Sequence, residues 1–161
     1  MTISRSWSGR ASSAARFSRI GSSVAFIAAA SFVFTSTSPT EPARYRTAAP
    51  MWTDRSFRSV AEVVHAGALL AAVRSATPPS PIVDTGNAPF TSGPWLFSLN
   101  GFVRRFRGPV GEGLRRLVTE SRAVEIDGTS DSEVLFALVL DALDAGATPE
   151  QALAGVVGEA A

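Results

Sequence analysis

Apolar positions at Val60, Val63, Val64 and Ala68 recur with helical spacing across Ser56 to Leu70, and this predicts a helix that merges into the apolar run from Ala66 to Val73. The run Ala68-Leu-Leu-Ala-Ala-Val-Arg74 stops at Ser-Ala-Thr-Pro-Pro. It predicts a short buried strand that leaves the core at its charged end, so that Arg74 stands at a strand tip. Three prolines and a glycine make Thr77 to Asn87 a loop. Pro94 to Leu99 predicts a second strand, and Asn100-Gly101 directly after it is a tight-turn signature, because both residues tolerate positive φ. Towards the end of the chain the period becomes helical. Ser130-Asp-Ser-Glu133 is a capping box, with Val134, Leu135, Leu138 and Val139 behind it, joined by Phe136 and Leu143, and Gly146 as the stop. Thr148-Pro149-Glu150-Gln151 opens another helix, with proline at its first position. The predicted order is helix, strand, loop, strand, helix, helix. Two strands do not complete a sheet protein, so the chain is expected to stop early.

The first forty residues have a different character. They contain no Asp or Glu, are rich in Ser, and carry Arg5, Arg10, Arg16 and Arg19 ahead of an apolar stretch from Val24 to Phe34. That is the layout of a signal sequence, although no small-x-small cleavage site follows it cleanly. The stretch is shorter than the roughly 20 apolar residues a membrane helix needs, and Ser31 interrupts it. The expected organisation is an unstructured or signal-like lead over residues 1–41, with a frame error as a second origin for it, and a folded part over residues 42–161.

Composition narrows the chemistry. With 161 residues, 45% apolar and 18% charged, the chain is long enough for one domain with a core, and it is neither a coiled coil nor wholly disordered. There is no Cys, which removes disulfides, thiolate metal sites and cysteine nucleophiles, and a single His, His65, cannot build an all-histidine metal site. No metal or cofactor is expected. All the cationic side chains are Arg, yet net charge is only +1. Arg104, Arg105 and Arg107 have no basic helix with them, and Arg115 and Arg116 fit a solvated helix face, so no nucleic-acid partner is expected.

Four polar positions lie at predicted element ends, where sites are built: Arg74, Thr77, Asn100-Gly101 and Asp131. An Arg fork suits a carboxylate and an Asp suits an ammonium, so Arg74 and Asp131 would hold the two ends of an α-amino acid. Asn100-Gly101 would offer a side-chain amide and a backbone N–H to one oxyanion. Each also has a plain structural reading: a surface ion pair for Arg74, a hairpin turn for Asn100-Gly101, and a helix-dipole partner for Asp131.

In combination these residues resemble a known family. Pro42 to Phe57, Ala71 to Thr77, Ala88-Pro-Phe90, Trp95-Leu-Phe-Ser-Leu-Asn-Gly101 and Ser130-Asp-Ser-Glu133 are similar to the class II glutamine amidotransferases, and most of all to the actinobacterial γ-glutamyl hydrolases of ergothioneine biosynthesis. The resemblance implies an α+β fold, an incomplete N-terminal-nucleophile (αββα) sandwich. It also implies Arg74 and Thr77 at a substrate α-carboxylate, Asp131 at its α-amino group, and Asn100 and Gly101 as the oxyanion hole. The substrate implied is a γ-glutamyl small molecule, handled in the cytoplasm with no membrane involved. The family's nucleophile is a Cys at position two acting with its own amine, and this chain has none, so an inactive γ-glutamyl amide hydrolase is expected. Thr2 with a free amine is the alternative nucleophile. Leu99 stands where the family usually has His. A homodimer is one way to cover an incomplete sandwich. The alternative function is a small exported or membrane-associated protein without catalytic activity, secreted if the lead is a working signal.

Overall fold

The computed structural model describes residues 2–5, 28–35, 42–65, 68–75 and 83–160. Among them are two antiparallel three-stranded sheets and a set of helices. One sheet has the order β1 (Thr2–Arg5), β6 (Trp95–Ser98), β5 (Phe90–Ser92). The other has the order β3 (Ala43–Pro50), β2 (Ala28–Thr35), β4 (Ala68–Ser75). The helices are α1 (Arg55–Val63), α2 (Pro109–Leu117), α3 (Glu120–Ala123), α4 (Asp131–Asp144) and α5 (Pro149–Ala160).

The C-terminal helices form as their sequence predicts. At α4, Ser130 Oγ accepts from Glu133 N while the Glu133 carboxylate accepts from Ser130 N, a complete capping box. Gly146 follows with φ 93°, the left-handed stop that glycine permits. Thr148 and Gln151 cap α5 in the same reciprocal way. The burial of α4 exceeds its predicted stripe: every residue from Glu133 to Leu140 is buried. A helix buried on all sides is the centre of its domain rather than a cover for it. Around it gather Phe90, Phe97, Val103, Leu114, Val118, Ala152 and Val156, with Phe97 stacked on Phe136 at a centroid distance of 5.1 Å.

Several expectations are corrected. Within the lead, expected to be unstructured or signal-like, Thr2–Arg5 and Ala28–Thr35 are the strands β1 and β2, and β2 is the central strand of its sheet; the remainder of residues 1–41 lies outside the described residues. An eight-residue run with Phe32, Val33 and Phe34 suits a strand hydrogen-bonded on both edges as well as it suits a signal core, and apolar length alone does not separate the two. The helix predicted to run on towards Leu70 stops at Val63; Asp54 caps it by accepting from Phe57 N, and its C-cap Val64 is extended. The strand predicted as buried, β4, is a sheet edge with Leu69 57% and Val73 60% exposed. The hairpin turn in this region is Gly93-Pro94, between β5 and β6, and not Asn100-Gly101. Gly93 has φ 49°, which gives that turn its glycine. Strands β3 and β5 were not foreseen, and the prolines and glycine before Asn87 end in a 3-10 turn at Asp84–Gly86. His65 is exposed.

The two sheets meet along β3. Arg44 donates to Asn87 O at 3.2 Å, and Asn87 Nδ2 returns a bond to Thr47 O at 2.8 Å. The Arg44 guanidinium also lies 5.9 Å from the Phe90 ring centroid in β5.

Candidate functional site

Asn100 and Gly101 leave the end of β6, and Gly101 has φ 155°, a backbone conformation in which a side chain would be strained. The segment after them is anchored by Asp131. Val103 N–H donates to Asp131 Oδ2 at 2.7 Å, and Ser132 N–H donates to Asp131 Oδ1 at 2.8 Å. The first residue of α4 and the Asn100-Gly101 loop are thereby in direct contact, and two of the predicted site elements lie side by side. On the other flank, Ser98 pairs with Thr2 of β1. The chain start thus runs beside the residues that lead into Asn100.

Arg74 is the penultimate residue of β4, paired with Ala29 of β2 in the other sheet. Its side chain, and Thr77 altogether, lie outside the described residues. The Arg74 to Asp131 convergence on which a head-group site depends therefore remains an expectation from sequence.

Below Asp131 the helix start is fixed by a second carboxylate. Glu133, 7% exposed, accepts from Gly128 N at 2.7 Å, from Ser130 N at 3.1 Å and from Ser130 Oγ at 2.7 Å. The capping box in the sequence signals the bond from Ser130 N; nothing in it signals those from Ser130 Oγ and Gly128 N. Glu133 also lines a cavity of about 70 Å³ with Arg44, Arg46, Ser92, Arg122 and Asp127 among the other walls. Burial pushes the Arg44 guanidinium down to a pKa of about 10, and Arg46 adds to this, while Asp127 and Glu133 pull the other way. A second hollow of about 310 Å³ is lined by Phe106, Arg107, Glu112, Arg115 and Thr129. Neither hollow is lined by Asn100, Gly101 or Asp131. Among the described residues, no group of three or more acidic or His side chains is placed to hold a metal ion, and no helix is long and apolar enough to cross a membrane.

With the fold and this geometry in view, comparison with known proteins gives first a class. The chain is similar to class II glutamine amidotransferases: the structure of a glutamine aminotransferase class-II domain protein from Silicibacter pomeroyi superposes with a TM-score of 0.65 and 28% identity over 80% of this chain and 54% of that one. This bears out the α+β sandwich reading. Particular relatives follow. Gamma-glutamyl-hercynylcysteine sulfoxide hydrolases from Mycobacterium tuberculosis and Mycolicibacterium smegmatis are 41% and 39% identical over 102 residues, 63% of this chain. A probable glutamine amidotransferase of Saccharomyces cerevisiae is 30% identical over 103 residues, 64% of this chain and 28% of the relative. The chain spans about 40% of the length of the hydrolases it matches. No family model matches it.

Proposed function

We propose that this chain recognises the γ-glutamyl group of a small molecule, as a relative of the ergothioneine-pathway γ-glutamyl hydrolases, and does so without cysteine-dependent turnover. In this reading residues 42–161 carry the family motifs, and β1 and β2 add strands from outside that stretch. Arg74 and Thr77 take the α-carboxylate, Asp131 takes the α-ammonium, and Asn100 with the Gly101 N–H takes the γ-carbonyl oxygen. A cytoplasmic location goes with such a metabolite ligand. The reading is carried by one observation, the Asp131 carboxylate bonded to Val103 N at 2.7 Å, because it sets an ammonium acceptor against the loop that would bind the carbonyl. Attack on that carbonyl by a thiolate is closed to a chain with no Cys.

Titration of the purified chain with L-glutamine and L-glutamate, followed by amide chemical shifts, tests the reading. Saturable shifts at Gly101 and Val103 that vanish in Arg74→Ala are expected, with no glutamate released. Binding that Arg74→Ala leaves intact would remove the head-group assignment. Robust glutamate release that depends on Arg74 and survives Thr2→Ala would overturn the claim of inactivity.

A further inference from the structure

The geometry points to a second role for Asp131, as the positioning residue that fixes the loop bearing Asn100 and Gly101. This rests on the reading above for the ligand and on observed bonds for the positioning. The loop is tied at both ends. Upstream, Phe97 is fully buried and paired with Phe90 in the sheet, and Ser98 pairs with Thr2. Downstream, the first backbone group held is Val103 N–H, and the group that holds it is Asp131 Oδ2. Only residues 99–102 lie between these ties, and Phe102 among them is 81% exposed, so its side chain contributes little anchoring. Asp131 itself has little freedom, since its other oxygen takes Ser132 N–H and the preceding turn is fastened by Glu133 to Gly128 and Ser130.

A carboxylate has about four lone-pair sites, and the two backbone donors with the long bond from Ser132 Oγ at 3.4 Å leave room for an ammonium at the same group. One side chain thus serves both ends of the proposed ligand, touching the amine and setting the N–H that meets the carbonyl oxygen. Val103 has a competing anchor in its own buried side chain. The contribution of the carboxylate is therefore what its removal reads.

The decisive comparison uses 4-carbamoylbutanoate, which is glutamine without the α-amine, so that no group of the ligand faces residue 131. Asp131→Ala should speed exchange of the Val103 amide and weaken this ligand about three- to tenfold, the value of one ordinary hydrogen bond. Asp131→Asn, which keeps an acceptor oxygen, should restore both properties while still losing the preference for L-glutamine over its desamino analogue. Unchanged Val103 exchange and unchanged desamino-ligand affinity in Asp131→Ala would overturn the positioning role. Should the wild-type chain bind neither ligand, the γ-glutamyl reading fails, and the positioning role is then decided by Val103 exchange across the three proteins.

Discussion

Glu133 is the residue on which the start of α4 depends, and its removal can be followed quantitatively. Its buried carboxylate accepts from Gly128 N, Ser130 N and Ser130 Oγ. In Glu133→Ala the two backbone donors lose a charged acceptor at a half-buried site, while the Ser130 hydroxyl can turn to another partner. Bonds to charged groups contribute about 1.5–3 kcal/mol each, and partial access of water to the freed N–H groups reduces the loss, so a destabilisation of about 3 kcal/mol is expected. For a chain of this size that lowers Tm by roughly 6–12 °C. Gly128 supplies an internal control. A Cβ there would stand 2.5 Å from Glu133 Oε2 and 2.8 Å from Oε1, so Gly128→Ala must push the carboxylate off its donors. Alone it should cost about 2 kcal/mol. In the Glu133→Ala background the obstacle is gone, and the same substitution should be neutral or slightly stabilising, since alanine restricts the unfolded chain. Urea denaturation of the four proteins measures the cycle. Additivity within about 0.5 kcal/mol would show that the two positions do not share the contact.

Arg44→Met removes a buried charge of depressed pKa: the folded value, about 10, lies below the ordinary 12.5, so the penalty is fully present at neutral pH and is relieved only as pH rises between those values. The variant should be as stable as wild type within about 1 kcal/mol, or more stable, despite the lost bond to Asn87 O, and a loss above about 2 kcal/mol would contradict this. Arg122 is a different case. Burial works against its charge, but the bonds and charges of Glu125 and Asp144 outweigh it and raise its pKa, and it donates to Ser92 Oγ as well. Arg122→Met should cost about 1–2 kcal/mol in denaturant melts at low salt and less at 1 M, where the Debye length falls to about 3 Å. Asp141 accepts Thr119 N at 2.9 Å and Thr119 Oγ1 at 2.8 Å, joining α4 to the start of α3, and Asp141→Ala should cost about 1 kcal/mol with faster exchange of the Thr119 amide.

What the sequence announced was where local chemistry and tertiary structure agree. The capping box at Ser130 and Glu133, the Thr148 start and the Gly146 stop are decided within one turn of chain, and they were legible. Strand β3 was not. Its Ala-Arg-Tyr-Arg-Thr-Ala-Ala-Pro alternation carries charge where a half-buried strand usually carries apolar side chains, and what places Arg44 and Arg46 there is the far side of the seam, the carbonyls of Asp84, Thr85 and Asn87. Strand β2 was misassigned because its apolar run does not by itself show the pairing that defines it, with β3, the next strand in the chain, on one edge and β4 on the other. Of Asn100-Gly101, only Gly101 has the positive φ expected of both, and the pair was wrongly read as a hairpin turn, since two residues that tolerate unusual φ do not say whether the chain reverses.

The distribution of the proposed head-group residues has a consequence for how the site responds to change. Asn100 and Gly101 issue from the β1–β6–β5 sheet, and Asp131 is bonded to their loop, so these three move together. Arg74 belongs to β4 of the other sheet. The described bonds across the sheet boundary run through β3 and the turn before β5, where Arg44, Arg46 and Asn87 form the seam. With the carboxylate held by Arg74 and the ammonium by Asp131, as proposed, ligand affinity would depend on the seam's spacing, whereas the core around α4 lies on one side of it. Changes at Arg44 or Asn87 should therefore appear in γ-glutamyl affinity before they appear in the melting of the helical core, and changes at Glu133 should appear in both.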